Sequence, residues 1–107
     1  MKYMIEWTAR SAGLTYEQNF AGLEALQTAF AKWKPEEGLN VLAFVASVSP
    51  RKGYVLVEAG DPKVVASFVS KYGFWLDIEV TPVIDIGDAV AISGANINWA
   101  RTASQKR

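Results

Sequence analysis

Apolar and polar residues follow one another along four segments of the chain in the way expected of strands. The second segment differs from the others, because residues 39–48 are almost all apolar. Pro82 restricts pairing in the last segment and favours a strand end or an edge position there. The predicted strands cover residues 2–8, 39–48, 54–59 and 74–83.

Apolar residues spaced three or four apart predict helices between and after these strands. The first helix starts after Thr15, which has the spacing of a capping box with Gln18. The second follows Asp61, an N-cap residue with a proline directly behind it. A third, weakened by Gly94, is expected near the C-terminus, where residues 88–93 would also fit a short strand. The predicted stripe of the first helix consists of Phe20, Leu23, Gln27, Phe30 and Trp33.

The element order β-α-β-β-α-β with a trailing helix is the split-βαβ, ferredoxin-like plan. We therefore predict an α+β fold with a four-stranded antiparallel sheet in the order 4-1-3-2 and both crossover helices on one face. The 107 residues form a single domain, residues 1–107. Residues 101–107, with three basic side chains and no acidic one, are expected to be a disordered tail.

The strand at residues 39–48 is an edge of that sheet, and neither of its faces is polar. Two helices can cover one face, so the other would leave an apolar patch in water. We expect a second copy of the chain to cover it sheet against sheet, which closes a barrel between the two chains. The alternative is that the C-terminal helix folds back over the open face. The predicted faces are Val41, Ala43 and Val45 on one side, and Leu42, Phe44, Ala46 and Val48 on the other.

The amino-acid composition excludes several kinds of functional site. The chain has 11 basic and 11 acidic residues, so electrostatic attraction to nucleic acid or to anionic membranes is not expected. It has no cysteine and no histidine, which removes thiolate nucleophiles, disulfides, histidine-ligated haem and ordinary zinc sites. The acidic residues are scattered, and we expect neither a metal nor a cofactor. No segment resembles a signal peptide or a membrane span, so the expected location is the cytoplasm.

One local sequence pattern bears on nucleic-acid binding. Lys52, Gly53 and Tyr54 begin the basic-glycine-aromatic motif of RNA-recognition domains, which share this topology. Leu56 and Ala59 stand where further stacking aromatics are required. We therefore expect no nucleic-acid partner.

Two carboxylates are candidates for catalysis. Glu6 and Glu58 lie on strands that the topology makes neighbours, and a shared environment would separate their pKa values into an acid and a base. The alternative is that Glu6 forms an ordinary ion pair with Lys2, Arg10 or a partner chain. If Glu6 only forms such an ion pair, a Glu6→Gln change should leave any activity unchanged. If Glu6 carries a proton in catalysis, the same change should lower the activity at least tenfold.

Aromatic residues are candidates for substrate binding. Trp7, Tyr54, Trp75 and Phe44 are expected to line an apolar pocket, with indole or phenol groups that orient a ligand. Core packing accounts for most of the other aromatic side chains. We place the pocket between the sheet and the helices.

Four segments resemble a known family: MKYMIEWT, TYEQNF, WKPEEGLNVLAFV and GYVLVEAGDP. On these segments the chain is similar to the bacterial domain-of-unknown-function family 3303, within the dimeric α/β-barrel superfamily, as far as Trp99. The resemblance implies the ferredoxin-like fold and a homodimer. Relatives in that superfamily include cofactor-independent quinol monooxygenases, isomerases of small lactones and haem-handling enzymes, and the last group uses a histidine that this chain lacks.

Two functional hypotheses follow. In the first, the protein converts a small aromatic or cyclic molecule without a cofactor, by oxygenation, isomerisation or elimination. Glu6 or Glu58 would move a proton, and Trp7 and Tyr54 would position the substrate. In the second, the protein binds a small molecule in the same pocket without turnover, or acts as a stress-associated interaction protein. The residues leave open whether it is an enzyme.

Overall fold

The computed structural model of the protein describes residues 1–11, 13, 15–49 and 51–105. Pro50, in the predicted turn before the third strand, and residues 106–107 of the predicted tail lie outside this range. The elements are β1 (Lys2–Ala9), α1 (Tyr16–Lys32), β2 (Leu39–Ala46), β3 (Lys52–Ala59), α2 (Pro62–Tyr72), β4 (Leu76–Val83) and α3 (Ile86–Ala103).

The four strands form one antiparallel sheet in the order β2-β3-β1-β4. This confirms the predicted ferredoxin-like α+β fold and its strand order. Pro82 lies in β4, which is an edge strand, as its missing amide donor requires.

The predicted caps position both crossover helices. The Thr15 hydroxyl accepts a hydrogen bond from the Gln18 amide at 3.1 Å, and the Gln18 side chain accepts one from the Thr15 amide at 3.1 Å. Asp61 accepts a hydrogen bond from the Lys63 amide at 2.9 Å at the start of α2. Each cap satisfies backbone donors that would otherwise lack a partner at a helix start.

The buried stripe of α1 differs from the predicted one. Leu26 is its buried residue, whereas Gln27 is exposed and Phe20 stacks on Tyr16 at the surface with ring centroids 6.4 Å apart. Leu23 and Phe30, both half-buried, complete the stripe. Residues 23, 26 and 30 have the same spacing of three and four as residues 20, 23 and 27, so the spacing alone did not determine which set faces the sheet.

The core lies between the helices and one face of the sheet. Ile5, Val55 and Val57 are fully buried there. Burial of each such side chain stabilises the fold by about 1.5–3 kcal/mol. The other face, which we call the open face, is formed by alternate residues of the same strands. Its central rows pair Met4 with Leu56 and Glu6 with Tyr54 on β1 and β3, and Ala43 and Val45 of β2 lie beside them.

The predicted faces of β2 are wrong at one point. The register shifts between Val41 and Ala43, since Val41 pairs with Val57 and Ala43 pairs with Leu56. One extra residue in β2 therefore places Val41 and Phe44 on the core face and Ala43 on the open face. Phe44 packs edge-on against Phe30 of α1 at 5.7 Å.

α3 is a helix, not a strand, and it continues through Ala103 into the segment predicted to be a disordered tail. None of its residues is buried. The described chain extends over 71 × 32 × 22 Å. The helix does not fold back over the open face, where Val45 is 55% exposed. The intramolecular alternative is therefore absent from this structure.

Candidate functional site

The register separates the two candidate catalytic carboxylates. Both lie on the open face, but Glu6 pairs across the strands with Tyr54, whereas Glu58 pairs with Lys2. Four residues along β1 divide the two positions, which corresponds to about 13 Å. Glu6 and Glu58 therefore do not share an environment, and the expected acid–base pair is not formed.

Glu6 has other neighbours. Its Oε1 lies 2.6 Å from Nζ of Lys52, and Glu79 of β4 is its cross-strand partner. The hydrogen bond and the negative charge of Glu6 raise the pKa of Lys52 above its usual range. The Lys52 ammonium also lies 5.8 Å from the centre of the Tyr54 ring. A depression of about 290 Å³ opens beside this pair, lined by Glu6, Thr8, Asp77, Ile78 and Glu79.

The four predicted substrate-binding aromatics lie on different faces. Tyr54 is on the open face beside Glu6. Trp7 and Phe44 are on the core face, and Trp75 lies half-buried in the turn between α2 and β4. Trp7 and Tyr54 cannot line one pocket, because the sheet separates them. The sheet thus separates Trp7 from the two candidate proton carriers of the first hypothesis, whereas Tyr54 shares their face.

Most aromatic side chains pack together in the core. Tyr72 is stacked on Phe30 with ring centroids 4.5 Å apart, and its pKa is raised by burial and by the nearby charge of Glu36. Glu36 in turn forms an ion pair with Lys71 at 2.6 Å. This cluster stabilises the fold and consists of Phe30, Trp33, Phe44, Phe68, Tyr72 and Trp75.

A cavity of about 440 Å³ lies between α1 and the end of β1, and we call it the α1 cavity. Its walls are largely apolar, while Gln27 and Arg51 contribute polar groups. The indole Nε1 of Trp7 is buried and has no hydrogen-bond partner among the described residues. A buried N–H without an acceptor costs about 1–3 kcal/mol. The lining residues are Trp7, Ala9, Leu23, Leu26, Gln27, Phe30 and Arg51.

Local backbone features hold two walls of the α1 cavity in place. The Trp7 indole lies against Gly53 of β3, where an added Cβ would overlap the ring. Arg51 has a φ of 73°, a conformation that non-glycine residues adopt at a cost. Its carbonyl accepts a hydrogen bond of 2.7 Å from the amide of Ala9, which ties the β2–β3 turn to β1.

Sequence reasoning identified Trp7 but missed the partners that build the α1 cavity. The helical spacing predicts Gln27 in the buried stripe of the first helix, and no pattern in the sequence points to Arg51. The signal available was Gly53, a strand glycine opposite an aromatic residue, since strand glycines often mark a close approach by another group. Its pairing with Trp7 depends on the register, which the residues alone did not give.

A second cavity of about 310 Å³ lies between the end of α1 and α2. Nε1 of Trp33 and Oε2 of Glu36 are buried without hydrogen-bond partners among the described residues. Three lysines surround it, one of which is paired with Glu36. The lining residues are Ala29, Lys32, Trp33, Lys34, Lys71, Tyr72 and Trp75.

Comparison with known proteins places the chain in a family. The profile of a domain of unknown function, DUF3303, matches residues 1–97. The chain belongs to this family. The match confirms the resemblance to family 3303, and the DUF3303 region includes every residue of the α1 cavity.

Solved and curated proteins add little to the assignment to DUF3303. The crystal structure of SCO4226 from Streptomyces coelicolor A3(2) is 17% identical over 76% of this chain and 94% of that chain, with a TM-score of 0.39. No curated protein matches.

No group of three or more Asp or Glu side chains is arranged so that it could hold a metal ion in residues 1–11, 13, 15–49 and 51–105. Within the same ranges, no helix has both the length and the apolar character needed to cross a membrane.

Proposed function

We propose that the protein binds a small aromatic or cyclic molecule carrying an acidic oxygen, such as a phenol, an enol or a carboxylate, in the α1 cavity. The observation that carries this proposal is the Trp7 indole, which lines an apolar cavity and whose N–H is buried without a hydrogen-bond partner among the described residues. A volume of about 440 Å³ falls within the range of small-molecule sites, about 300–1,000 Å³.

The polar groups of the α1 cavity define the ligand chemistry. Trp7 supplies a neutral donor, Arg51 supplies a cation, and the Gln27 amide supplies further donors. An oxygen anion on a flat ring would face Arg51 and accept from the Gln27 amide, and it would accept from Trp7 once the indole turns away from Gly53, against which its Nε1 now lies. The apolar walls, formed by residues such as Leu26 and Phe30, favour the ring itself.

A graded set of probes tests this proposal: naphthalene, 1-naphthol and 2-naphthoate. We expect affinity to rise in that order, because a charge-assisted hydrogen bond contributes about 1.5–3 kcal/mol, or roughly ten- to a hundredfold. Binding should shift the ¹⁵N–¹H indole NMR signal that Trp7→Phe removes. Arg51→Gln should abolish the preference for 2-naphthoate.

The matched control is Trp33→Phe, which removes the other buried and unpaired indole N–H, in the second cavity. This change should leave the affinity for 2-naphthoate unaltered. The proposal is wrong if none of the three probes moves the Trp7 signal, or if Trp7→Phe and Trp33→Phe weaken binding equally.

Cofactor-independent conversion of the ligand is the second candidate. The donors in the α1 cavity favour it, because Trp7 and Arg51 would stabilise negative charge that develops on a ring oxygen. Glu6 and Glu58 would take no direct part, since they lie on the open face. Oxygen uptake with a naphthohydroquinone tests this candidate, and turnover that Trp7→Phe does not alter would contradict it.

We also propose that the protein acts as a homodimer, as expected for the dimeric α/β-barrel superfamily. The exposed apolar residues of the edge strand β2 support this, because Val45 and Leu42 are 55% and 43% exposed. Light scattering coupled to size-exclusion chromatography tests it, and a monomeric mass at micromolar concentration would contradict it. The cytoplasmic location stays a prediction from the sequence.

A further inference from the structure

α3 lacks the features that stabilise a helix in water by itself. Its 18 residues include Gly87 and Gly94, and its N-cap residue Asp85 makes no side-chain capping hydrogen bond. Asp88 and Arg101 are its charged residues, too far apart to pair along the helix. Isolated helices shorter than about 12–15 residues are marginal even when rich in alanine, and each glycine inside a helix costs about 1 kcal/mol relative to alanine. A helix with this composition therefore requires a packing surface.

One half of α3 is apolar and exposed. At 100° per residue, Ile86, Val90 and Ile97 form one ridge, and Ile92 and Trp99 form another. These five side chains are between 53% and 80% exposed. Small residues lie between the ridges and form the floor of a groove of about 500 Å³, lined by Ile84, Ala89, Ile92, Ser93, Asn96, Ile97 and Ala100.

The surface of the isolated chain is too large for a compact monomer. It exposes 7890 Å², whereas a compact protein of 11.7 kDa exposes about 5,900 Å². The radius of gyration is 19.5 Å, against about 13 Å expected for this length. The excess surface is about 2,000 Å² on each chain. This area equals the part that one chain contributes to a large obligate dimer interface.

We propose that two copies of this chain exchange α3, so that each helix lies across the open face of the other copy. This inference rests on the homodimer proposed above and replaces direct sheet-to-sheet packing with helix-to-sheet packing. It covers the apolar half of α3 and, at the same time, the apolar row of Met4, Leu56 and Ala43 on the open face. Each contact occurs twice by two-fold symmetry.

Length and charge fit this arrangement. An 18-residue helix is about 27 Å long, and a strand of eight residues spans about 27 Å. Asp88 and Arg101 lie about 20 Å apart along α3, which matches the distance from Lys2 to the row of Asp77 on the open face. Arg101 would then lie in the row of Asp77, two residues along β4 from Glu79 of the other copy. Glu79 has no ion pair among the described residues.

Cross-linking tests the contact directly, because the natural chain has no cysteine. A Ser93→Cys chain mixed with a differently tagged Ala43→Cys chain should form a disulfide-linked heterodimer on mild oxidation. Ala91→Cys, on the opposite side of α3, is the matched control and should not cross-link. Two results overturn the proposal. In the first, Ala43→Cys chains form disulfides only with each other, as sheet-to-sheet packing requires. In the second, a chain that carries both Ser93→Cys and Ala43→Cys forms an intramolecular disulfide.

Dimer affinity provides a second test by sedimentation velocity. Val90→Glu should raise the dimer Kd at least a hundredfold. Arg101→Glu should raise it about tenfold, and adding Glu79→Lys in the same chain should restore it. A natural chain that is monomeric throughout contradicts the homodimer itself. A dimer whose Kd is unchanged by Val90→Glu contradicts only the exchange of α3.

Discussion

Gly53→Ala tests whether the Trp7 indole occupies the position that shapes the α1 cavity. Alanine is favoured over glycine in a strand interior by about 0.5–1 kcal/mol. The added methyl group would overlap the Trp7 ring, however, and overpacking of a filled site costs about 1–3 kcal/mol. The cost of overpacking exceeds the gain from alanine, because the Trp7 ring is packed against the core. We expect a net loss of about 0.5–2 kcal/mol in the free energy of unfolding.

The assay is urea denaturation followed by far-UV circular dichroism, at one fixed protein concentration because dimerisation would add to the apparent stability. Gly94→Ala is the matched control, since no atom lies within 4 Å of the added Cβ and alanine is the better helix former. It should stabilise the protein by about 1 kcal/mol. In a Trp7→Val background, Gly53→Ala should also become stabilising, by about 0.5–1 kcal/mol. Stabilisation by Gly53→Ala while Trp7 is present would refute the reasoning.

Three further changes have defined expected outcomes. The pKa of Tyr72 is raised in the folded state, so the contribution of its neutral phenol to stability is complete below about pH 10 and is lost as the pH rises through the folded-state pKa. Tyr72→Phe should therefore reduce the fall in unfolding free energy between pH 9 and pH 11, measured by urea denaturation. An identical fall in the variant would contradict this. Thr15→Ala removes the cap of α1 and should lower the unfolding free energy by about 1 kcal/mol, whereas Thr28→Ala, in the exposed interior of the same helix, should not. Glu6→Gln should leave 2-naphthoate binding unchanged in isothermal calorimetry because the sheet separates Glu6 from the α1 cavity, and a tenfold loss would return Glu6 to the binding site.

Local sequence signals predicted those parts of the fold that depend on neighbouring residues. Thr15 with Gln18 and Asp61 with Pro62 predicted both helix starts, since a cap requires groups only two or three residues apart. The strand order then followed from the handedness of the crossovers.

The candidate site depended on information that is not local. Glu6 and Trp7 are adjacent in sequence and must therefore point to opposite faces, but which face Tyr54 shares with either depends on the β1–β3 register. That register places Tyr54 with Glu6, brings Gly53 under Trp7 and moves Glu58 away.

The sequence by itself determined the element order, the caps, the strand order and the family, because each is carried by short-range patterns of side chains. Only the tertiary structure decided the composition of the α1 cavity, the extra residue in β2 after Val41 and the position of α3 away from the open face. The physical reason is that side chains change face with every residue along a strand, so a register shift of one position reassigns an entire site. Such shifts are set by packing between distant segments.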